Sequence, residues 1–153
     1  MHDHVHAGGV RPGRYVLGRE PIASGGMGTV WRGYDGKLKR AVAVKELRFA
    51  EGLNESERAR QKARVMVEAR AAACLDHPGI VPVYDVIEDD GRPWIVMRLV
   101  PGRSLAQEVE ASGALSPQRT AEIGPEILAA LEAAHAGRHP APGCQATERT
   151  SGS

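Results

Sequence analysis

Aromatic residues and cysteines are scarce in this sequence. One Phe, three Tyr and two Trp stand among 153 residues, so the chain has the apolar content for a single core but few rings to fill it. Cys74 and Cys144 lack the spacing of a disulfide framework or of a zinc site. We therefore expect two free thiols in a reducing, cytoplasmic compartment.

A strong net charge and a long apolar run are also absent. The formal net charge is +1, which favours neither a nucleic-acid partner nor an acidic tail. No apolar run approaches the roughly 20 residues that span a bilayer, so no membrane segment is expected. His2, His4 and His6 alternate at the N-terminus, where a solvated start is favoured over a divalent-metal site.

The order of apolar and turn residues predicts an α+β fold. Residues 1–13 carry glycines and a proline without periodicity, which is typical of a flexible lead-in. Alternating and β-branched runs then predict five strands of an antiparallel sheet. The predicted strands are Tyr15 to Ile22, Thr29 to Tyr34, Arg40 to Arg48, Ile80 to Ile87 and Pro93 to Val100.

Helical signals lie between and after these strands. Asn54 to Glu57 supply a cap and early acidic charge for a long helix that ends near Leu75. Within it, residues 65, 69, 72 and 75 are apolar at helical spacing, so one face can pack on the sheet. Ser104 and Ser116-Pro117 open two further helices, the second reaching about His135. Residues 137–153 show no pattern and are expected to be disordered.

A glycine cluster and a lysine carry the chemistry. Gly25, Gly26 and Gly28 lie between two strands, where backbone N–H groups can turn toward a phosphate, and Lys45 on the next strand can reach the same phosphate. A dinucleotide-binding turn would need a helix after the glycines, whereas Thr29 to Tyr34 is β-rich. A tight turn without a ligand stays open as the alternative.

Three motifs in order resemble the amino-terminal lobe of bacterial serine/threonine protein kinases, members of the eukaryotic-like protein kinase family. The glycine segment is similar to the family's G-x-G-G-M-G-x-V, residues 42–45 to its V-A-I-K, and residues 75–81 to its L-x-H-P-x-I-V. The resemblance covers about residues 14–136. It implies a kinase-like N-lobe at 14–100 with a hinge at its end, then the first helices of a truncated C-lobe at 101–136.

The resemblance implies an ATP site. Lys45 would hold the α and β phosphates, Glu68 would pair with Lys45, and Val30 and Ala43 would enclose the adenine. Loop residues would cover the phosphates and hinge residues would meet the adenine edge. The loop set is Ile22, Ala23, Ser24, Gly25, Gly26, Met27 and Gly28, and the hinge set is Met97, Arg98 and Val100.

Two residues depart from the family pattern. Ala23 stands where the family has its first loop glycine, and Arg98 where it commonly has glutamate. If the position of Ala23 requires a positive φ, its methyl group costs on the order of 1 kcal/mol.

The catalytic motifs of the family are missing from the sequence. Neither H-R-D-x-K-P-x-x-N nor D-F-G is present, so the catalytic aspartate and the ligands of Mg²⁺ are absent. Codons can be chosen for residues 138–150 whose second reading frame encodes Gly-Ile-Leu-His-Arg-Asp-Val-Lys-Pro-Pro-Asn-Val. A frameshift near residues 136–138 is therefore expected, with a native disordered tail as the alternative.

These observations give the expected function. The family reaction is ATP-dependent phosphorylation of protein Ser/Thr, and this chain is expected to be inactive alone. A nucleotide-binding or docking module with another kinase chain as partner, and a gene remnant without activity, stay open as alternatives.

Overall fold

The computed structural model describes residues 12–26 and 28–137. Outside these ranges lie His2, His4 and His6, most of the predicted lead-in, Met27, Cys144 and the tail from residue 138. The predicted α+β architecture is confirmed. The described elements are β1 (Tyr15–Gly25), β2 (Gly28–Asp35), β3 (Arg40–Leu47), α1 (Glu55–Ala73), β4 (Val83–Asp89), β5 (Arg92–Arg98), α2 (Leu105–Ser112) and α3 (Pro117–Ala136).

The five strands form one sheet in the order β1-β2-β3-β5-β4, and every neighbouring pair is antiparallel. Because successive side chains of a strand point to opposite faces, Val42 and Val44 lie on one face of the sheet and Ala43 and Lys45 on the other. The sheet therefore separates a packed face from the face that carries the lysine.

The first face, here called the core face, holds the hydrophobic core. Its buried cluster consists of Tyr15, Leu17, Val42, Val44, Trp94 and Val96. The hydroxyl of Tyr15 donates a 2.8 Å hydrogen bond to Asp85 Oδ2, which joins the edge strands β1 and β4. This bond requires a strongly curled sheet, since both edges must reach one point. Burial and this bond raise the pKa of Tyr15.

A buried carboxylate fixes the turn between β2 and β3. Asp35 is fully buried, and its Oδ1 accepts hydrogen bonds from the N–H groups of Lys37 and Leu38 at 2.9 and 3.0 Å. Its Oδ2 accepts a 3.0 Å bond from the guanidinium of Arg14. Burial alone would raise the pKa of Asp35, but the bonds from Leu38, Arg14 and Lys37 outweigh it and the pKa is lowered.

Helix α1 begins at a complete capping box and packs on one edge of the sheet. Asn54 Oδ1 accepts from the N–H of Glu57, and Glu57 accepts from the N–H of Asn54. The helix contacts β4 and β5, and Ala69 is its buried residue, as the spacing predicts. Cys74, at its C-cap, is disulfide-bonded, so the prediction of a free thiol there is wrong. Sequence spacing does not reveal which atoms the fold brings together.

Helices α2 and α3 contain no buried residue. Ser104 and Ser116 cap them, as predicted. Helix α3 and its C-cap closely approach the connection between α1 and β4 at two glycines. A Cβ built at Gly79 in the connection would lie 2.9 Å from Ala130 Cβ, and one built at the C-cap Gly137 would lie 2.2 Å from Leu75 Cδ2. Within the described ranges, no helix is long and apolar enough to cross a bilayer.

Candidate functional site

The second face of the sheet, here called the lysine face, brings together four predicted site residues. Val30 is paired with Lys45 across β2 and β3, and Ala43 with Met97 across β3 and β5. Lys45 is also paired with Ile95. Directly opposed residues have Cβ atoms about 4.5–5.5 Å apart and share a face of the sheet. The lysine is therefore flanked by apolar side chains.

The glycine hairpin, residues 23–30, closes one end of this face. Gly28 has φ +138°, and a Cβ built there would lie 2.0 Å from the carbonyl oxygen of Glu46. Only glycine fits this approach of β2 to β3. A Cβ at Gly25 or Gly26 would meet no atom within 4 Å, so the tip is open. Met27 lies outside the described residues, and Ile22, before the hairpin, is 48% exposed.

Ala23 and Ser24 lie in β1, opposite Val30 and Thr29 respectively. Lys39 and Asp90 are the only described residues other than glycine with positive φ. The strain considered for Ala23 therefore does not arise in this structure, because the residue has ordinary strand geometry. Replacement of the family's glycine by alanine is accommodated at this position.

Glu68 does not pair with Lys45 in this structure. Its Oε1 accepts a 3.1 Å bond from Arg64 Nε, and the two side chains are 65% and 81% exposed. No ion pair of the described residues includes the half-buried Lys45. The carboxylate of Glu68 is paired instead with Arg64, one turn earlier on the same helix. An exposed pair of this spacing contributes only about 0.3–0.5 kcal/mol, so little holds Glu68 in place.

The predicted hinge follows the lysine face. Met97 is half-buried beside Ala43, and Arg98 ends β5 on the opposite face, paired with Val42. The N–H of Arg98 donates to the carbonyl oxygen of Pro82 at 3.0 Å and is thus engaged within the protein. Val100 follows the strand and is 55% exposed. Residues 99 and 100 lie beyond the end of β5, so their backbone N–H and C=O groups are not part of the strand pairing.

Sequence reasoning missed a polar group on the far side of the hairpin. Thr29 is only 3% exposed, and its Oγ1 accepts a 2.9 Å hydrogen bond from Arg48 Nη2. The hydroxyl of Ser24 lies 3.5 Å from the same oxygen. Two-residue periodicity places Thr29 on the face opposite Val30, which was an available signal, but it does not reveal that Arg48 reaches back to the hairpin.

The described residues were searched for clusters of metal-ligating side chains. They contain no group of three or more His, Cys, Asp or Glu side chains arranged to hold a metal ion. Mg²⁺ usually takes one or two carboxylates together with the phosphates of its substrate. Within the described ranges, Lys45 therefore has no cluster of three or more such side chains beside it.

Comparison with known proteins identifies the family of this chain. The family model for the protein kinase domain matches residues 18–139, and the chain belongs to that family. Among similar proteins, the serine/threonine-protein kinase PrkC of Bacillus subtilis is 41% identical over 123 residues, covering 80% of this chain and 18% of PrkC. PknD of Mycobacterium tuberculosis is 38% identical over 136 residues, covering 89% of this chain and 20% of PknD.

The chain thus spans about a fifth of the length of these curated relatives. The crystal structure of Rad53 1-466 in complex with AMP-PNP is similar with a TM-score of 0.67 and 26% identity, over 80% of this chain and 30% of that one. The predicted resemblance to a kinase N-lobe with the first C-lobe helices is confirmed.

Proposed function

We propose that the lysine face and the glycine hairpin bind ATP. The observation that carries this proposal is the position of Lys45, half-buried among apolar neighbours and in no ion pair of the described residues. A partly desolvated ammonium group is costly without an anionic partner, and a phosphate can supply one. The AMP-PNP bound in the similar Rad53 structure supports a nucleotide as the ligand.

Each residue of the site has a definite proposed role. Lys45 contacts the α and β phosphates, while the backbone of Gly25, Gly26 and Gly28 covers them. Val30 and Ala43 form the apolar walls around the adenine, with Met97 at the back of this pocket. The backbone at Arg98 and Val100 meets the adenine edge. The role predicted for Met27 in covering the phosphates stays a prediction.

Glu68 has a conditional role in this proposal. Pairing of its carboxylate with Lys45 would fix the ammonium group, and this requires the Arg64–Glu68 pair to open. The weak Arg64–Glu68 interaction makes that exchange inexpensive. We propose that Glu68 pairs with Lys45 when nucleotide is bound.

The family reaction is transfer of the γ-phosphoryl group of ATP to protein Ser/Thr, and we propose that this chain does not perform it alone. A base beside the incoming hydroxyl is needed, and its motif is missing from the sequence. The proposed organisation is an N-lobe at 14–100 and the first C-lobe helices at 101–136. The ATP site of the family lies between two lobes, so a lone N-lobe should bind nucleotide weakly.

Titration calorimetry with ATP tests the proposal. Wild-type chain is expected to bind, and Lys45→Met to bind about 10-fold or more weakly, since a charge-assisted bond contributes about 1.5–3 kcal/mol. Lys37→Met is the matched control, because Lys37 is an exposed residue of the β2–β3 turn. Equal affinity of wild type and Lys45→Met contradicts the assigned phosphate contact. Incorporation of label from Mg-ATP contradicts the proposed inactivity.

Docking on another kinase chain is the second candidate function. The observation that favours it is the exposure of three large apolar residues on α3: Ile127 at 48%, Leu128 at 61% and Leu131 at 49%. Surfaces of this kind mark interaction sites or aggregation liabilities. Co-elution with a complete kinase relative, lost on Leu128→Gln, would support docking, and separate elution at micromolar concentration contradicts it.

A further inference from the structure

The sheet has two edges that no backbone pairing joins. In the order β1-β2-β3-β5-β4, the strands β1 and β4 lie at opposite ends, and among the described strands neither has a partner on its outer side. Curling of the sheet nevertheless brings them together, because the hydroxyl of Tyr15 donates a 2.8 Å hydrogen bond to Asp85 Oδ2. The line between β1 and β4 is here called the seam. Since no ladder crosses the seam, other contacts must hold it closed.

Residues 12–15, here called the strap, reach across this seam. The N–H of Tyr15 donates to the carbonyl oxygen of Pro12 at 3.2 Å, which closes a tight turn. Gly13 in this turn has φ +59°, and a Cβ built there would lie 3.7 Å from Cδ1 of Ile87 on β4. The side chains of Pro12 and Tyr15 are fully buried, and Ile87 packs against the core cluster that contains Tyr15. The strap is thus packed into the fold, although most of it precedes the first strand.

The strap is attached on both sides of the seam, and the two attachments differ. On its own side, Arg14 forms a 3.0 Å ion pair with the buried Asp35, and the ladder between β1 and β2 begins at the pair of Tyr15 with Asp35. On the other side, the described attachment to β4 is one hydrogen bond, to Asp85, together with apolar contact at Ile87. The strap should therefore separate from β4 more easily than from β2.

Strand β4 is irregular beside this attachment. Its register with β5 shifts between Val83 and Asp85, so the ladder is interrupted next to the residue that accepts from Tyr15. The same strand supports α1, which contacts β4 and β5. Loss of the strap contact would therefore act on β4 at the point where its own pairing is weakest.

We propose that the strap is a releasable closure that ties β1 to β4 across the seam. Its release is a local opening, controlled by the hydrogen bond from Tyr15 to Asp85, that loosens the start of β4 and leaves the central ladders intact. While closed, it holds together two strand edges that are otherwise open to pairing with another chain. This inference does not depend on the proposed ATP site, because no residue of the strap is assigned a contact with nucleotide.

Amide hydrogen exchange of the full chain in increasing urea separates opening of the strap from global unfolding. Two amides report on the strap: the N–H of Tyr15, bonded to Pro12, and the N–H of Val86, bonded at 2.9 Å to Asp85 Oδ1. In the wild type, both should open at a lower free energy than the N–H of the fully buried Val44 and with little dependence on urea. A weak urea dependence indicates local opening, because little new surface is exposed.

Tyr15→Phe keeps the ring in the core and removes the hydroxyl. Exchange at residue 15 and at Val86 is expected to become on the order of 3–10-fold faster, because the closed strap loses one hydrogen bond. The N–H of Gly113, which is bonded to Val109 at the end of α2, should exchange as in the wild type. Tyr34→Phe is the matched control, since it removes the hydroxyl of a tyrosine of β2 that is 45% exposed, and it should leave all these rates unchanged.

Gly13→Ala tests the strap without touching this hydrogen bond. Alanine at φ +59° strains the closed turn, while its methyl group would make only an ordinary contact with Ile87. Exchange at residue 15 is expected to become about 3–10-fold faster. Gly52→Ala is the matched control, because it places the same kind of strain, at φ +81°, in the turn before α1, where the added Cβ meets no atom within 4 Å. It should not change exchange at residue 15.

The wild type alone can overturn the proposal. If exchange at Tyr15 and Val86 follows the urea dependence of Val44, the strap opens only when the whole fold does. Unchanged exchange at both reporter amides in Tyr15→Phe also overturns it, and so does equal acceleration at residue 15 by Gly13→Ala and Gly52→Ala. If Tyr15→Phe fails to fold, the wild-type and Gly13→Ala measurements still decide whether the strap opens by itself.

Discussion

At the residue scale, Gly28 is the position where the hairpin tolerates least change. Gly28→Ala would place a methyl group 2.0 Å from the Glu46 carbonyl oxygen, at φ +138°. We expect a loss of unfolding free energy on the order of 2–4 kcal/mol, because backbone atoms of two paired strands must separate. Urea denaturation measures this loss.

The matched control for this change is Gly25→Ala at the other end of the same hairpin. An added Cβ there meets no atom within 4 Å, so the free energy of unfolding should change by less than about 1 kcal/mol. Equal destabilisation by both substitutions would mean that the close approach at Gly28 is not the cause.

Asp35 gives the protein an acid-sensitive part of its stability. Its pKa is lowered below the ordinary value of 3.8 by the bonds from Leu38, Arg14 and Lys37, which outweigh burial. Folding thus favours the ionised form. This stabilisation is complete above the ordinary pKa of the unfolded chain and is lost as the pH falls through the lowered pKa.

We expect Asp35→Asn to cost about 1–3 kcal/mol at pH 7, since a buried charge-assisted network is broken. The cost should shrink as the pH falls from about 4 through the lowered pKa of Asp35, at which the folded wild-type carboxylate becomes protonated. Unfolding midpoints between pH 2 and 7 measure both effects. A cost that stays constant over this range would show that the carboxylate charge is not the stabilising feature.

The sequence placed some site residues and not others, for physical reasons. The two-residue period of a strand puts Ala43 and Lys45 on one face whatever the rest of the chain does. The partner of Glu68 depends instead on how the helix sits against the sheet, and Glu68 is paired here with Arg64 on its own helix. The hydrogen bond from Arg48 to Thr29 was not predicted, because sequence periodicity does not give the direction of a long side chain at the end of a strand.

At the scale of elements, β1 shows why the ends of a strand were harder to predict than its presence. It continues to Gly25, past Gly18 and Pro21, although these residues usually interrupt strands. The register shifts between Leu17 and Ala23 show the irregularities that accommodate them. This is possible because β1 is an edge strand, where the missing N–H of proline need not break a ladder.

The start of β4 was predicted three residues too early. Ile80 and Val81 are β-branched or apolar and favour a strand, but the strand begins at Val83. Pro82 cannot donate to a neighbouring strand, and its carbonyl oxygen instead accepts from Arg98 N–H. The cap residues of the three helices, by contrast, were predictable because each satisfies orphan N–H groups locally.

Helix α3 is expected to control the solution behaviour of the chain. Replacing Leu128, 61% exposed, by Gln should reduce self-association and precipitation, because it interrupts the apolar surface without touching the core. Light scattering coupled to size-exclusion chromatography measures the change. Val67→Gln on α1, 63% exposed, is the control for an isolated apolar residue and should have little effect.

At the scale of the whole molecule, the chain changes character near residue 138. The family match reaches residue 139, close to the point where a shifted frame would encode the catalytic-loop motif. We propose that residues from about 138 onward are read out of frame. The DNA of the gene tests this: codons for residues 138–150 should encode a His-Arg-Asp motif when read from their second base.

Codons at Ala141 or Gly143 that cannot yield His and Asp in that frame would rule the proposal out. If the DNA confirms the shifted frame, the catalytic-loop motif is encoded in the gene but lies out of frame in this sequence. If the shifted reading proves wrong, the tail is native, and the absence of the motif from this chain needs another explanation.

The hydrogen bond between Tyr15 and Asp85 has a consequence for synthesis. The two residues are 70 positions apart, so the tyrosine leaves the ribosome well before its acceptor is made. At about 5–20 residues per second, this interval is roughly 4–14 s. During that time the first strand lacks the contact that closes the sheet, and it is accessible to chaperones and proteases until translation of β4 is complete.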